Sequence, residues 1–225
     1  MSNITFDTAG HSGLRTTFFG KVMIFFALAV FSSAIGTYVT YHYFVGYFFT
    51  MPWLIYLVFA AELILVFTAH WWSTSHPLNR LLFVLFTFLT GVTFTPLLAV
   101  LAASPAGVGI LAKALLSTGF MFSATALIGW TTKYDLSGLR GFLVMSLIGM
   151  IIVGILGIFI PWGNTFELLF SGFGVILFSG YTMYDFQRIK SYPEDRYIDA
   201  ALKLYLDIFN LFLYILRLLM ALNRR

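Results

Sequence analysis

Charge is what this chain has least of. Only 10% of its 225 residues are Asp, Glu, Lys or Arg, against about 25% in an ordinary soluble domain, and 60% are hydrophobic. No hydrophilic stretch is long enough to fold by itself. The chain therefore reads as one all-α integral membrane domain over residues 21–225, led by a polar cytoplasmic segment, residues 1–20. Cysteine is absent, which removes a disulfide framework, a thiolate metal site and a cysteine nucleophile. The four histidines, His11, His42, His70 and His76, lie in the N-terminal segment or near expected helix ends, without zinc-ligand spacing. Basic residues are in excess, with a net charge of +4 and a pI near 9.3. They are scattered singly, which argues against a nucleic-acid surface and fits the loop bias of a membrane protein. No resident cofactor is expected.

What is present is a series of apolar runs. Seven spans are expected, at 22–49, 52–72, 81–102, 108–130, 142–160, 166–187 and 200–222. The first carries Arg15 and Lys21 before it and reads as an uncleaved span rather than a signal peptide. Tyr38, Tyr41, Tyr43 and Tyr47 crowd its far end, and Trp53 and the Trp71-Trp72 pair bracket the second span, as rings at the headgroup layer do. In the third span, Thr87, Thr90, Gly91, Thr93, Thr95 and Pro96 predict close packing and a kink. Pro161 and Trp162 end the fifth, and Gly172, Gly174, Ser179 and Gly180 predict close helix approach in the sixth. With the N-terminus in the cytoplasm, Arg15, Lys21, Arg80, Lys133, Arg140, Arg188, Lys190, Arg196 and Lys203 fall inside, nine of thirteen basic residues.

Against this apolar background three carboxyl groups stand out: Glu62 in the second span, Asp185 in the sixth and Asp207 in the seventh. A charged side chain at membrane depth costs roughly 2.5–3.5 kcal/mol, so each needs a partner, a proton, an ion or water. Lys203, Asp207, Asn210, Tyr214 and Arg217 recur at helical spacing and share one face of the last span; Leu204, Ile208, Leu211, Ile215 and Leu218 share another. Tyr181, Asp185 and Arg188 align likewise on the sixth. The turn 188–199 joins these two spans, so both aspartates come to similar depth at the cytoplasmic end.

The stretches Thr131-Thr-Lys-Tyr-Asp-Leu-Ser137, Phe178-Ser-Gly-Tyr-Thr-Met-Tyr-Asp-Phe-Gln-Arg-Ile-Lys190 and Ala201-Leu-Lys-Leu-Tyr-Leu-Asp-Ile-Phe-Asn-Leu-Phe-Leu213 strongly resemble the Bax inhibitor family in its bacterial branch. The likeness reaches back through Thr90-Gly-Val-Thr-Phe-Thr-Pro96 and covers most of the chain after Glu62. It implies a seven-helix fold with the last helix central, in the bacterial inner membrane. It also implies a pH-sensitive calcium leak governed by a proton-sharing aspartate pair, here Asp185 and Asp207. In such relatives an arginine of the second helix holds the pair closed; the second span here contains none. His70, Arg80, Arg188 and Lys203 are the candidate replacements.

The chemistry can also be argued from the residues. Two carboxyls a few ångströms apart cannot easily both be ionised, so they share a proton and titrate as a unit. That shared proton clamps the two helices; its loss creates repulsion or calls for a cation. Calcium takes six to eight oxygens, which Asp185, Asp207, Asn210 and hydroxyls such as that of Tyr214 supply weakly, as conduction requires. Glu62 is a second acidic point on such a path. The expected partners are therefore membrane lipids, the transported calcium ion and other membrane proteins under its regulation. Two other classes compete. A non-conducting scaffold would use the polar stripe only to glue helices. A presenilin-like intramembrane aspartyl protease would use the pair on water, but the second aspartate lies in Tyr205-Leu-Asp-Ile rather than Gly-x-Gly-Asp, so an enzyme is not expected.

Overall fold

The computed structural model describes residues 9–160 and 163–224; the expectations for the segment before Ala9, for the Pro161-Trp162 stop and for Arg225 lie outside them. The elements are α1 (Ala9–Val39), a π turn (Thr40–Phe44), α2 (Val45–Thr50), α3 (Trp53–Phe67), α4 (Ala69–Trp72), α5 (Leu78–Ala102), α6 (Gly107–Thr131), α7 (Leu139–Phe159), α8 (Asn164–Ile189), a 3-10 turn (Glu194–Arg196) and α9 (Tyr197–Asn223). Six of the helical segments are long and apolar enough to cross a membrane. The chain is an all-helical integral membrane protein, and α8 and α9 are the expected sixth and seventh spans.

The second expected span is the one that changes. It breaks at Thr68, whose hydroxyl donates to the carbonyl of Ile64 at 2.6 Å, leaving α3 with 15 residues. At 1.5 Å per residue that is about 22 Å, short of a hydrocarbon core of roughly 30 Å, so α3 alone is too short to cross. Trp71 is exposed as an interface anchor should be. Trp72 instead turns inward, buried, and its indole N–H donates to the Leu65 carbonyl at 3.0 Å. The break frees backbone carbonyls, and a buried indole must find an acceptor.

α9 is central, touching α1, α5, α6 and α8. Its apolar stripe supplies Leu204, Leu211 and Ile215 to the core, and Tyr205 and Leu216 are also buried. Between Tyr197 and Ala221 only Arg217 is exposed. α7 is the opposite case: it leans on α8 through Leu143 and Met150, seven residues apart, and presents Phe142, Met145, Ile151 and Ile155 outward. Two helix pairs meet at backbone distance. A Cβ on Gly91 would lie 1.9 Å from the Ser33 carbonyl oxygen, locking α5 to α1, and one on Gly129 would lie 2.2 Å from the Met183 carbonyl oxygen, locking α6 to α8. Helix packing in lipid depends on such close approach.

Loops 73–77, 132–138 and 190–196 share one end of the bundle, where Lys21, Arg80, Lys133, Arg140, Arg188, Lys190, Arg196 and Lys203 also lie. We call this the basic end.

Candidate functional site

The turn 190–196 folds α8 back along α9, and this hairpin brings Asp185 and Asp207 together near the basic end. The two carboxyls are neighbours, close enough for one to donate to the other when protonated. Both are buried, Asp185 at 7% exposure and Asp207 at 4%. Asp207 Oδ2 accepts from no N–H or hydroxyl donor, which leaves the carboxyl of Asp185 as its partner. Tyr181 lies within electrostatic range of both aspartates. Buried polar atoms are nearly always paired, and two facing carboxyls pair only when one of them carries a proton.

Two cations face this pair without binding it. Lys203 and Arg188 lie within electrostatic range of Asp185, but their hydrogen bonds go elsewhere. The Lys203 ammonium donates to the Tyr192 hydroxyl and pairs with Asp199 at 3.3 Å. The Arg188 guanidinium donates to the Tyr184 hydroxyl at 2.9 Å and stands 5.8 Å from the ring centres of both Tyr184 and Tyr192. Among the described residues the ion pairs are Lys203 with Asp199 and Arg224 with Glu167. The other two candidate partners are not at the site: Arg80 donates from Nε to the Tyr197 hydroxyl at 3.2 Å, and His70 lies against Trp71.

Glu62 occupies a second polar site. It is buried on α3 and accepts a hydrogen bond from the Thr93 hydroxyl of α5. One turn away along α5, Thr90 meets the hydroxyl of the fully buried Tyr205, which also reaches Ser33 of α1. Glu62 thus ties α3 to α5 and lies within electrostatic range of Tyr205, in a hydroxyl cluster apart from the aspartate pair.

The polar stripe of α9 separates along its length. Asn210 donates its amide to the Leu206 carbonyl at 2.8 Å, within its own helix. The ring of Tyr214 stacks on Phe178 at 5.6 Å and fills the space over Gly174, where a Cβ would come within 2.3 Å of it. Arg217 reaches the far end, beside Glu167 and Arg224. A cavity of about 510 Å³ between α1, α5, α6 and α9 has almost wholly apolar walls, Tyr205 among them, and is lined by neither aspartate. Sequence reasoning missed Asp199 and Tyr192 as the partners of Lys203. The first was visible as a carboxylate four residues before a lysine; the second sits in a turn and gave no periodic signal.

Among the described residues no group of three or more His, Asp or Glu is placed to hold a metal. The family model described as inhibitor of apoptosis-promoting Bax1 matches residues 15–225. The chain is similar to the uncharacterized protein Cj0236c of Campylobacter jejuni, 33% identical over 89% of this chain and 86% of that one. It is also similar to the inner membrane protein YbhL of Escherichia coli, 34% identical over 69% of each. Bax inhibitor 1 of Schizosaccharomyces pombe is 32% identical over 75% of this chain and 62% of that protein. With a hairpin of two buried aspartates inside a helical membrane bundle, and a family match over nearly its whole length, the chain belongs to the Bax inhibitor family.

Proposed function

We propose that the protein is a pH-sensitive calcium leak channel, with Asp185 and Asp207 as both its proton sensor and its narrow ion site. The observation that carries this reading is the pair itself: two adjacent buried carboxyls, with no N–H or hydroxyl donor on Asp207 Oδ2. Such a pair is neutral enough to stay buried only while it holds a proton or a cation. With the proton shared, α8 and α9 are tied at the basic end. Without it, the two charges need a counter-ion, which a divalent cation or the Arg188 and Lys203 side chains supply. The basic end is then the cytoplasmic one, and the protein resides in a bacterial inner membrane with its N-terminus inside. Glu62, held by Thr93, stabilises the bundle beside the route.

Two carboxylates with hydroxyls and water bind calcium loosely, which suits passage because an ion that enters must also leave. The same burial weighs against the protease reading, which requires a water molecule between the carboxyls and room for a peptide. The relative named Bax inhibitor 1 keeps a regulatory scaffold in view; that reading predicts no cation flux from purified protein at any pH. Calcium entry into proteoliposomes between pH 5 and 8 is the test. The channel reading requires flux that depends on pH in the wild type, and flat profiles in Asp185→Asn and Asp207→Asn. Pure protein that passes no calcium at any pH would refute it.

A further inference from the structure

A second cavity, about 630 Å³, opens at the basic end between the 132–138 loop and the last turn of α8. Its lining includes three cations, Lys133, Arg140 and Arg188, against a single carboxylate, Asp135. That carboxylate is already engaged: it accepts from the backbone N–H and the hydroxyl of Ser137, both at 2.8 Å. These bonds hold the Asp135 carboxyl below its usual titration range, so it remains a fixed feature of its own turn.

The cavity wall is braced. Gln187 accepts from the backbone N–H of Leu136 at 2.8 Å and donates to the carbonyl of Tyr134 at 2.7 Å, pinning the loop to α8. Lys190 binds the carbonyl of Trp130. The wall is therefore set before any ligand arrives. Arg188 lines the cavity from within. A guanidinium carries five N–H donors, and among the described residues this one makes only the bond to Tyr184. Planar donors of this kind, beside two further cations, match the oxygens of a phosphate. Tyr134, part of the lining, is 84% exposed, a ring suited to the headgroup layer.

We propose that this cavity binds a phosphate-bearing anion, held by Lys133, Arg140 and Arg188, and that occupancy draws the Arg188 charge away from Asp185. Arg188 faces both ways: it lines the cavity and stands within electrostatic range of Asp185. The coupling to the aspartate pair rests on the channel reading above; the binding site does not. The phosphate can belong to an anionic lipid headgroup or to a soluble molecule, and the two sources separate by experiment.

The protein is reconstituted in nanodiscs of neutral phosphatidylcholine and titrated with inorganic pyrophosphate by calorimetry. In parallel, nanodiscs doped with phosphatidylglycerol are analysed for retained lipid by native mass spectrometry. Binding in the first arm identifies a soluble ligand, and retention in the second a lipid headgroup. Lys133→Gln and Arg140→Gln each weaken binding roughly fivefold, the worth of one cation at a membrane surface, whereas Arg196→Gln, at the same end but outside the cavity, changes nothing. Absence of binding in both arms, or equal weakening by all three variants, overturns the site. The bound anion also moves the pH profile of calcium flux in the wild type and leaves it unmoved in Arg188→Gln. Binding without that effect overturns the coupling alone, and a wild type without flux overturns the channel reading while leaving the binding result intact.

Discussion

Glu62 and the Asp185–Asp207 pair are all less than a tenth exposed, yet they are neutralised by different chemistry. Glu62 faces a hydroxyl, that of Thr93, which can donate to a carboxylate or accept from a carboxylic acid. Each aspartate faces another carboxyl, which can accept but donates only when protonated. Burial alone therefore does not mark a sensor. What the carboxyl faces decides whether a proton changes the structure around it.

The comparison can be broken most forcefully through the backbone contact between α1 and α5 near the Glu62–Thr93 pair. Gly91→Ala puts a methyl group against the Ser33 carbonyl, forcing α1 from α5 beside Thr90 and Thr93; overpacking of this kind costs about 3 kcal/mol. The thermal midpoint in detergent should fall, while any protein that folds should keep the pH profile of the aspartate pair. Thr93→Val is next, at about 2 kcal/mol, because it leaves Glu62 buried without its hydroxyl. Thermal unfolding should show a larger loss at pH 8 than at pH 5, since the bare carboxylate is costlier to bury than the acid.

Lys203→Gln acts on the other side of the comparison. It removes a cation that favours the ionised form of Asp185, so the pH at which flux changes should rise by about one unit. A flux titration that does not move would show that the Tyr192 and Asp199 contacts absorb the whole charge. The smallest effect is expected from Glu62→Gln, which keeps a hydrogen-bonding partner for Thr93. Its stability should change by about 1 kcal/mol or less, and its flux profile should overlay the wild type. A flattened profile would move the sensor to Glu62.

Much of this was legible in the apolar runs. Every expected span meets helix: the third to the seventh match within three residues at each end, the first starts well before the expected 22, and the second is broken at Thr68. The equal depth of Asp185 and Asp207 followed from the short turn between their spans. The break at Thr68 and the inward turn of Trp72 did not, because a tryptophan near a helix end suits either the headgroup layer or a backbone acceptor. The glycines of α8 show the same limit: Gly174 is filled by Tyr214, while Gly172 faces open space. The polar stripe of α9 was legible as a face, but its distribution among the aspartate pair, the Tyr214 stack and the far-end arginine depends on which neighbour each turn meets.

The central claim is that the buried aspartates carry the pH response. It is tested most directly by calcium flux into proteoliposomes from pH 5 to 8, with wild type, Asp185→Asn and Asp207→Asn measured side by side. The account predicts a pH-dependent flux in the wild type that becomes flat in both variants. Flux in Asp207→Asn with the wild-type pH dependence would contradict it.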